Sequence, residues 1–262
     1  MNGQQEPSVV VKNLCIQFGE LKANNNVNFT VQQGEFFGLI GPNGAGKTTC
    51  FNAMTGGIPN ATGEILFDGK SVMKKRPGDI CRMGINRTYQ NIRLFPKMSV
   101  RENVEIGLHA DPQYSRLAAM LNLPIVRRVE RECHEKAHAL LERFGLDQYS
   151  EMVAGNLPYG LQRKLEIARA LATNPKFLLL DEPAAGMNND ECNELVELLR
   201  KTHEDFKLTT ILIEHHLDLV VSLCDRICVL NVGEVLAEGK PNEIQNNPDV
   251  IKAYLGNRRM QK

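Results

Sequence analysis

The segment Gly41-Pro42-Asn43-Gly44-Ala45-Gly46-Lys47-Thr48-Thr49 constrains the fold of this 262-residue chain more tightly than any other. It fits G-x-x-x-x-G-K-[S/T] throughout, a pattern that works only with a strand before it and a helix after it. Both are legible. The apolar run Phe36-Phe37-Gly38-Leu39-Ile40 precedes the loop, and a helix is expected to start near Gly46, run through Met54 and stop near Gly56-Gly57. The glycines let successive N–H groups turn inward toward a phosphate, and the helix behind them adds its positive end. Lys47 supplies a point charge to the β- and γ-phosphates of a nucleoside triphosphate, and the Thr48 hydroxyl can ligate Mg²⁺.

A second constraint is Phe177-Leu178-Leu179-Leu180-Asp181-Glu182, an apolar strand ending in two carboxylates. Burial disfavours such charges unless a cation sits with them. Mg²⁺ held through water by Asp181 is the natural partner, and Glu182 is then placed to polarise an attacking water. ATP and Mg²⁺ are the expected ligands. A strand that simply ends in solvated acids is the alternative.

Around these two segments the chain reads as strands at 9–14, 27–31 and 36–40, then 63–67 closed by an Asp68-Gly69 turn in a hairpin. Residues from about 100 to 172 are rich in Leu, Ala, Glu and Arg and read as helical. Strand signals return at 177–181, 209–214 and 226–230, separated by helical segments, which implies a parallel sheet flanked by helices. Pro241 and Pro248 open two further helices, and residues 258–262 read as a frayed basic tail.

Composition removes several classes. Lys plus Arg and Asp plus Glu both total 31, so no broad basic face for nucleic acid is expected. No apolar run reaches the 18 or so residues of a membrane-spanning helix. The first six residues have neither a basic flank nor an apolar segment, so no signal peptide is expected. Seven scattered cysteines without a C-x-x-C pair read as reduced thiols of a cytosolic, soluble protein.

The order and spacing of these segments resemble the ATP-binding domain of ABC transporters over nearly the whole chain. Leu157-Pro158-Tyr159-Gly160-Leu161-Gln162-Arg163 stands where that family has its signature loop, ahead of a helix. The resemblance implies an α/β fold: a P-loop NTPase (RecA-like) core with an antiparallel β subdomain and an inserted helical subdomain. It places one domain over 8–256, with core and β subdomain at 8–99 and 173–256, the helical subdomain at about 100–172, and tails at 1–7 and 257–262. It also implies roles. Gln90, in Arg87-Thr88-Tyr89-Gln90, matches the glutamine that senses Mg²⁺ and the attacking water. His215 matches the switch histidine that contacts the γ-phosphate, chosen over His216 on the family pattern alone. Phe18, in Gln17-Phe18-Gly19, matches the aromatic residue that stacks on adenine, against the alternative of an ordinary core aromatic.

Several stretches resemble the ATP-binding subunits of branched-chain amino acid importers: Phe18-Gly19-Glu20-Leu21, Arg87-Thr88-Tyr89-Gln90-Asn91-Ile92-Arg93-Leu94-Phe95, Leu165-Glu166-Ile167-Ala168-Arg169-Ala170, Glu182-Pro183-Ala184-Ala185-Gly186-Met187-Asn188, and residues 248–256. The implied partners are a second ABC ATPase subunit, two transmembrane permeases and, indirectly, a periplasmic substrate-binding protein. The implied place is peripheral, on the cytoplasmic face of the inner membrane. Importers of urea or amides, other amino acid importers and a lipopolysaccharide-export ATPase share much of the pattern. A low-activity nucleotide-dependent regulatory subunit is a further alternative. ABC ATPases acting on DNA or the ribosome carry long coiled coils or paired cassettes, and this chain has neither sustained heptads nor a basic excess.

Two departures stand out. The common signature has Ser-Gly-Gly-Gln after its leucine, where this chain has Pro158-Tyr159-Gly160-Leu161. Pro158 offers neither a hydroxyl nor an N–H, leaving the Tyr159 and Gly160 N–H groups to face the nucleotide bound by a partner. An asymmetric heterodimer is the expectation. Asn188 replaces an aspartate and keeps hydrogen-bonding capacity without charge.

Overall fold

Alternating apolar side chains at 9–31 form two antiparallel strands in the computed structural model of the chain, which describes residues 7–109 and 114–260. Strand β1 (Val9–Phe18) and strand β2 (Leu21–Val31) place Val9 opposite Val31 and Phe18 opposite Leu21. Val9, Val11, Leu14 and Ile16 are buried, as are Val27, Phe29 and Val31 facing them. Strand β3 (Phe36–Ile40) is buried along its whole length and runs into helix α1 (Lys47–Met54). Strand β4 (Thr62–Phe67) turns through Asp68 and Gly69 into the short strand β5 (Lys70–Ser71). Helix α2 (Pro77–Arg82) and the three-residue strand β6 (Ile85–Arg87) complete this first stretch.

The chain divides into two compact units. One contains the residues up to Arg87 together with those from Lys176 onward; the other is Thr88–Pro175.

The second unit is helical: α3 (Val100–Leu108), α4 (Arg116–Met120), α5 (Pro124–Arg143) and α6 (Tyr159–Ala172). Ser99 and Glu102 form a reciprocal capping box that starts α3. Residues 88–99 belong to this unit because its helices hold their backbone. Asn103 accepts from Phe95 N and donates to Phe95 O, at 2.9 and 3.1 Å.

The first unit resumes with strand β7 (Phe177–Asp181), helix α7 (Asn189–Phe206), strand β8 (Thr209–Ile213), helix α8 (Leu217–Leu223), strand β9 (Arg226–Asn231) and strand β10 (Glu234–Gly239). Helices α9 (Pro241–Gln245) and α10 (Pro248–Met260) follow. Its two sheets have the orders β2-β1-β4-β5, all antiparallel, and β10-β9-β3-β8-β7-β6. In the second sheet β9, β3, β8, β7 and β6 are mutually parallel, and β10 is antiparallel to β9. The core lies between the sheets around Phe29, Phe37, Phe51, Met54, Ile65 and Leu179.

The alternation of strands and helices therefore gives the α/β architecture expected from the sequence. Strands β5, β6 and β10 are additions. The first two are too short to show a period, and β10 has no fully buried residue to mark a face. Helix α10 continues through Met260, so Arg258 and Arg259 are helical where a frayed tail was expected. Residues 1–6, on which the signal-peptide expectation rests, lie outside the described residues, as do Gln261 and Lys262. Among the described residues no helix is long and apolar enough to cross a membrane.

Candidate functional site

The loop between β3 and α1 takes a conformation that side chains forbid. At Gly41 (φ +148°) a Cβ would lie 2.1 Å from the Leu230 carbonyl oxygen, and at Gly46 (φ +98°) 2.3 Å from that of Ala23. Gly46 is also the N-cap of α1, and no side chain caps that helix. Its first N–H groups thus point into the loop with the positive end of the helix behind them. Lys47, buried, folds back across the loop and donates from Nζ to the carbonyls of Gly41 (2.7 Å) and Pro42 (3.0 Å). Burial pulls its ammonium below the usual lysine range, and the charges of Glu182 and Asp181 act against that.

A cleft of about 390 Å³ opens over the loop, lined by Phe18, Leu21, Lys22, Ala23, residues 43–49, Glu182, His215 and Val232. It brings together the predicted residues Phe18, Lys47, Thr48, Glu182 and His215. Phe18 ends β1 and is 52% exposed, an aromatic face open to a ligand rather than a core side chain. Val232 also lines the cleft, 78% exposed at φ +47° in the β9–β10 turn. A β-branched residue in the left-handed region is strained. The turn is held by Gly233 N donating to Ala45 O (3.1 Å) and by Asn25 N donating to Gly233 O (2.8 Å). The phosphate loop is thereby tied to a hairpin nearly 190 residues downstream in sequence, and nothing local marks Val232 in advance.

The carboxylates sit at the end of β7. Asp181 is 1% exposed, and Arg87 Nη2 donates to its Oδ2 at 2.5 Å. Glu182 leaves the strand at φ +49°, with its N–H donating to Ile213 O (2.8 Å). Its Oε1 lies 2.8 Å from His215 Nε2. His216 turns instead toward Glu214, at 3.3 Å. The geometry thus separates two adjacent histidines that spacing alone left equivalent. Glu214 is itself buried and accepts from the backbone N–H groups of Ala184 (2.9 Å) and His215 (2.8 Å). It locks the turn after Glu182 to the turn that carries His215. The signal that could have found it is an acid directly after the apolar strand 209–213, in the place Asp181 holds after 177–180.

The donor set suits Mg²⁺, a hard cation that takes oxygen ligands and keeps waters. Thr48 is exposed in the cleft, and Asp181 is a buried carboxylate that already carries a cationic partner. Among the described residues no cluster of three or more His, Cys, Asp or Glu side chains gathers for a metal. The remaining ligands would come from phosphate and water.

In the helical unit, Pro158 is the N-cap of α6, which begins at Tyr159 without a side-chain cap. Tyr159, Gly160 and Leu161 occupy the first turn, where N–H groups have no intrahelical acceptor. Arg163 is fully buried, and its guanidinium donates to Tyr89 O (2.7 Å), Gln90 O (2.8 Å) and Glu166 Oε2 (2.7 Å). Glu166 Oε1 accepts from Arg93 N at 3.1 Å. The backbone around Gln90 is therefore clamped to α6, while Gln90 itself is exposed. Asn188 caps α7, accepting from Glu191 N at 3.0 Å in a capping box. Asparagine and aspartate cap equally well, so this departure leaves the local structure intact.

All seven cysteines are free thiols; Cys50, Cys224 and Cys228 are buried.

Comparison with known proteins gives the family of the chain. The ABC transporter family matches residues 24–185, and a second family, described as branched-chain amino acid ATP-binding cassette transporter, matches residues 234–259. The chain is 44% identical over 250 residues to the high-affinity branched-chain amino acid transport ATP-binding protein BraF of Pseudomonas aeruginosa, covering 95% of this chain and 98% of the relative. It is 45% identical over 251 residues to LivG of Escherichia coli K12, which bears the same description, covering 96% and 98%. Among solved structures, a nucleotide-free ATP-binding cassette from an ABC transporter superposes with TM-score 0.81 at 33% identity, covering 95% of this chain and 98% of that one. The ADP conformation of the cassette MJ1267 superposes with TM-score 0.81 at 32% identity, covering 95% and 99%. With a family match over most of its length and relatives above 40% identity along nearly all of it, the chain belongs to the ABC transporter family, as an ATP-hydrolysing cassette.

Proposed function

We propose that this cassette energises the import of branched-chain amino acids, working at the cytoplasmic face of the inner membrane with a second ATPase subunit and two permeases fed by a periplasmic binding protein. The observation that carries the substrate class is the match of residues 234–259 to the branched-chain cassette family, joined to identity above 40% with branched-chain transport proteins along nearly the whole chain.

Each residue has a part in the chemistry. Phe18 stacks on adenine, residues 41–49 hold the phosphates through N–H groups, and Lys47 leaves its loop carbonyls to pair with phosphate charge. Thr48 and Asp181 would hold Mg²⁺, which would neutralise phosphate charge, and the family resemblance implies Gln90 as a further ligand. Glu182 orients and polarises the attacking water. His215, within hydrogen-bond reach of Glu182, positions that carboxylate and faces the γ-phosphate. Tyr159 and Gly160 present N–H groups to the nucleotide held by the partner cassette. The exposed Phe95 and Pro96, in the segment that follows Gln90, receive a cytoplasmic helix of a permease. Closing two cassettes around ATP and reopening them after hydrolysis supplies the conformational work.

The test is reconstitution. The chain is co-expressed with a second cassette and two permeases, placed in proteoliposomes, and offered leucine, isoleucine, valine, urea and a short amide with the matching binding protein. ATP-dependent uptake of branched-chain amino acids is expected. Uptake of urea or amides alone would move the assignment to a related importer. Absence of ATP turnover in the complete assembly would make the chain a regulatory subunit.

A further inference from the structure

The buried pair between Arg87 and Asp181 is unusual in its setting. Arg87 ends β6, the edge strand beside β7, and its side chain is 5% exposed, against 1% for Asp181. Its Nη2 donates to Asp181 Oδ2 at 2.5 Å. Its Nη1 donates to Asn52 Oδ1 (2.7 Å) and Thr55 Oγ1 (3.3 Å), and the guanidinium lies 5.5 Å from the centroid of the Phe51 ring. Phe51, Asn52 and Thr55 all lie on or directly beyond α1, the helix that springs from the phosphate loop. One guanidinium therefore joins that helix to the carboxylate at the end of β7.

A carboxylate this deeply buried needs a counter-charge at all times, since an uncompensated buried charge is among the most destabilising features a fold can carry. We propose that Arg87 is a positioning residue for the metal side of the site: its guanidinium is the resident counter-cation of Asp181, and it shares that carboxylate's charge with the divalent cation that accompanies the nucleotide. This rests on the reading of Asp181 as a metal-side carboxylate. Two cations drawing on one carboxylate weaken each other, so Arg87 moderates how strongly nucleotide binding depends on Mg²⁺. The planar fork of arginine grips α1 and Asp181 together, which the point charge of lysine does not.

The experiment uses the full chain with Arg87→Met, Arg87→Lys, Asp181→Asn and the Arg87→Met/Asp181→Asn double variant. A fluorescent ADP analogue is titrated in EDTA and in Mg²⁺, and thermal unfolding is followed in EDTA without nucleotide. Arg87→Met should raise the ratio of Mg²⁺-supported to metal-free affinity about tenfold, within the range of coupling between contacting charges. Arg87→Lys should leave that ratio close to the wild-type value. In EDTA, Arg87→Met should melt below the wild type, and adding Asp181→Asn to it should recover part of the loss. An unchanged affinity ratio in Arg87→Met would overturn the proposal. Should Arg87→Met not fold, a double variant that also fails to fold would overturn it too, because removing the orphaned charge is then no remedy. If wild-type affinity itself ignores Mg²⁺, the metal reading of Asp181 fails, and the unfolding data in EDTA still decide whether Arg87 is its counter-cation.

Discussion

His215 Nε2 stands 2.8 Å from Glu182 Oε1 at the rim of the cleft over the phosphate loop, and both side chains leave the carboxyl ends of neighbouring parallel strands. Glu182 reaches that position only by taking a left-handed backbone conformation, the kind of strain that packing must hold in place. The N–H of Glu182 bonded to Ile213 O, and Glu214 bonded to the N–H groups of Ala184 and His215, supply that hold.

Glu182→Gln should keep nucleotide binding while turnover falls by about 10²-fold or more, the scale of a lost general base. His215→Ala should lower turnover in the same direction, and His216→Ala should change it little, because His216 turns toward Glu214 and away from Glu182. Steady-state ATPase assays beside equilibrium nucleotide binding check all three. A larger loss from His216→Ala than from His215→Ala would contradict the geometry.

Lys47→Ala removes the cation that spans the loop carbonyls of Gly41 and Pro42. Charge-assisted hydrogen bonds contribute about 1.5–3 kcal/mol, so nucleotide affinity should fall by roughly ten- to a hundredfold. Equilibrium binding of a fluorescent nucleotide measures it, and the fold should survive, as judged by an unchanged far-ultraviolet circular dichroism spectrum.

Arg163 is a fully buried cation that donates to Glu166, to the carbonyls of Tyr89 and Gln90 and to the Tyr159 hydroxyl. Arg163→Met takes away the fully buried cation paired with Glu166, leaving the more distant charge of Arg169, and should destabilise the chain by about 3 kcal/mol. The double replacement Arg163→Met/Glu166→Leu should recover much of that. Urea denaturation of the three proteins tests the expectation; equal midpoints for the single and double variants would contradict it.

An uncapped α6 that begins behind Pro158 bears on how two cassettes share the work. With a partner subunit present, Glu182→Gln here and the equivalent change in the partner should slow turnover unequally. The larger loss is expected from the change in this chain, under the proposed pairing of its phosphate loop with a partner's signature. Losing one good phosphate donor costs about 10²–10³ in rate at comparable sites, so the two losses should be easy to tell apart. Equal losses would make the sites equivalent.

Burial pushes the Cys50 thiol up to about 12 and raises those of Cys224 and Cys228 as well. Thiolate is the reactive form. An aromatic disulfide reagent should therefore leave these three untouched in the native protein and label them once the chain unfolds in denaturant, as peptide mapping by mass spectrometry will show.

Contiguous segments were decided by their own residues. In the loop 41–49 the glycines supply the left-handed backbone that the turn requires, the strand before it is apolar throughout, and the helix after it starts where the last glycine ends. The alternation of apolar strands with helices at 177–230 likewise dictates a parallel sheet. The long-range pairings within each unit belong to tertiary structure. Arg87 and Asp181 are 94 residues apart, Arg163 and Gln90 are 73 apart, and Glu182 and His215 are 33 apart. They meet because Arg87 lies opposite Leu179 and Asp181 lies opposite Ile213 in the register of adjacent parallel strands, and because α6 lies against the backbone around Gln90. Parallel strands end at one edge, so residues distant in sequence collect there. The side chains that then face one another depend on strand register, and register is a property of the whole sheet.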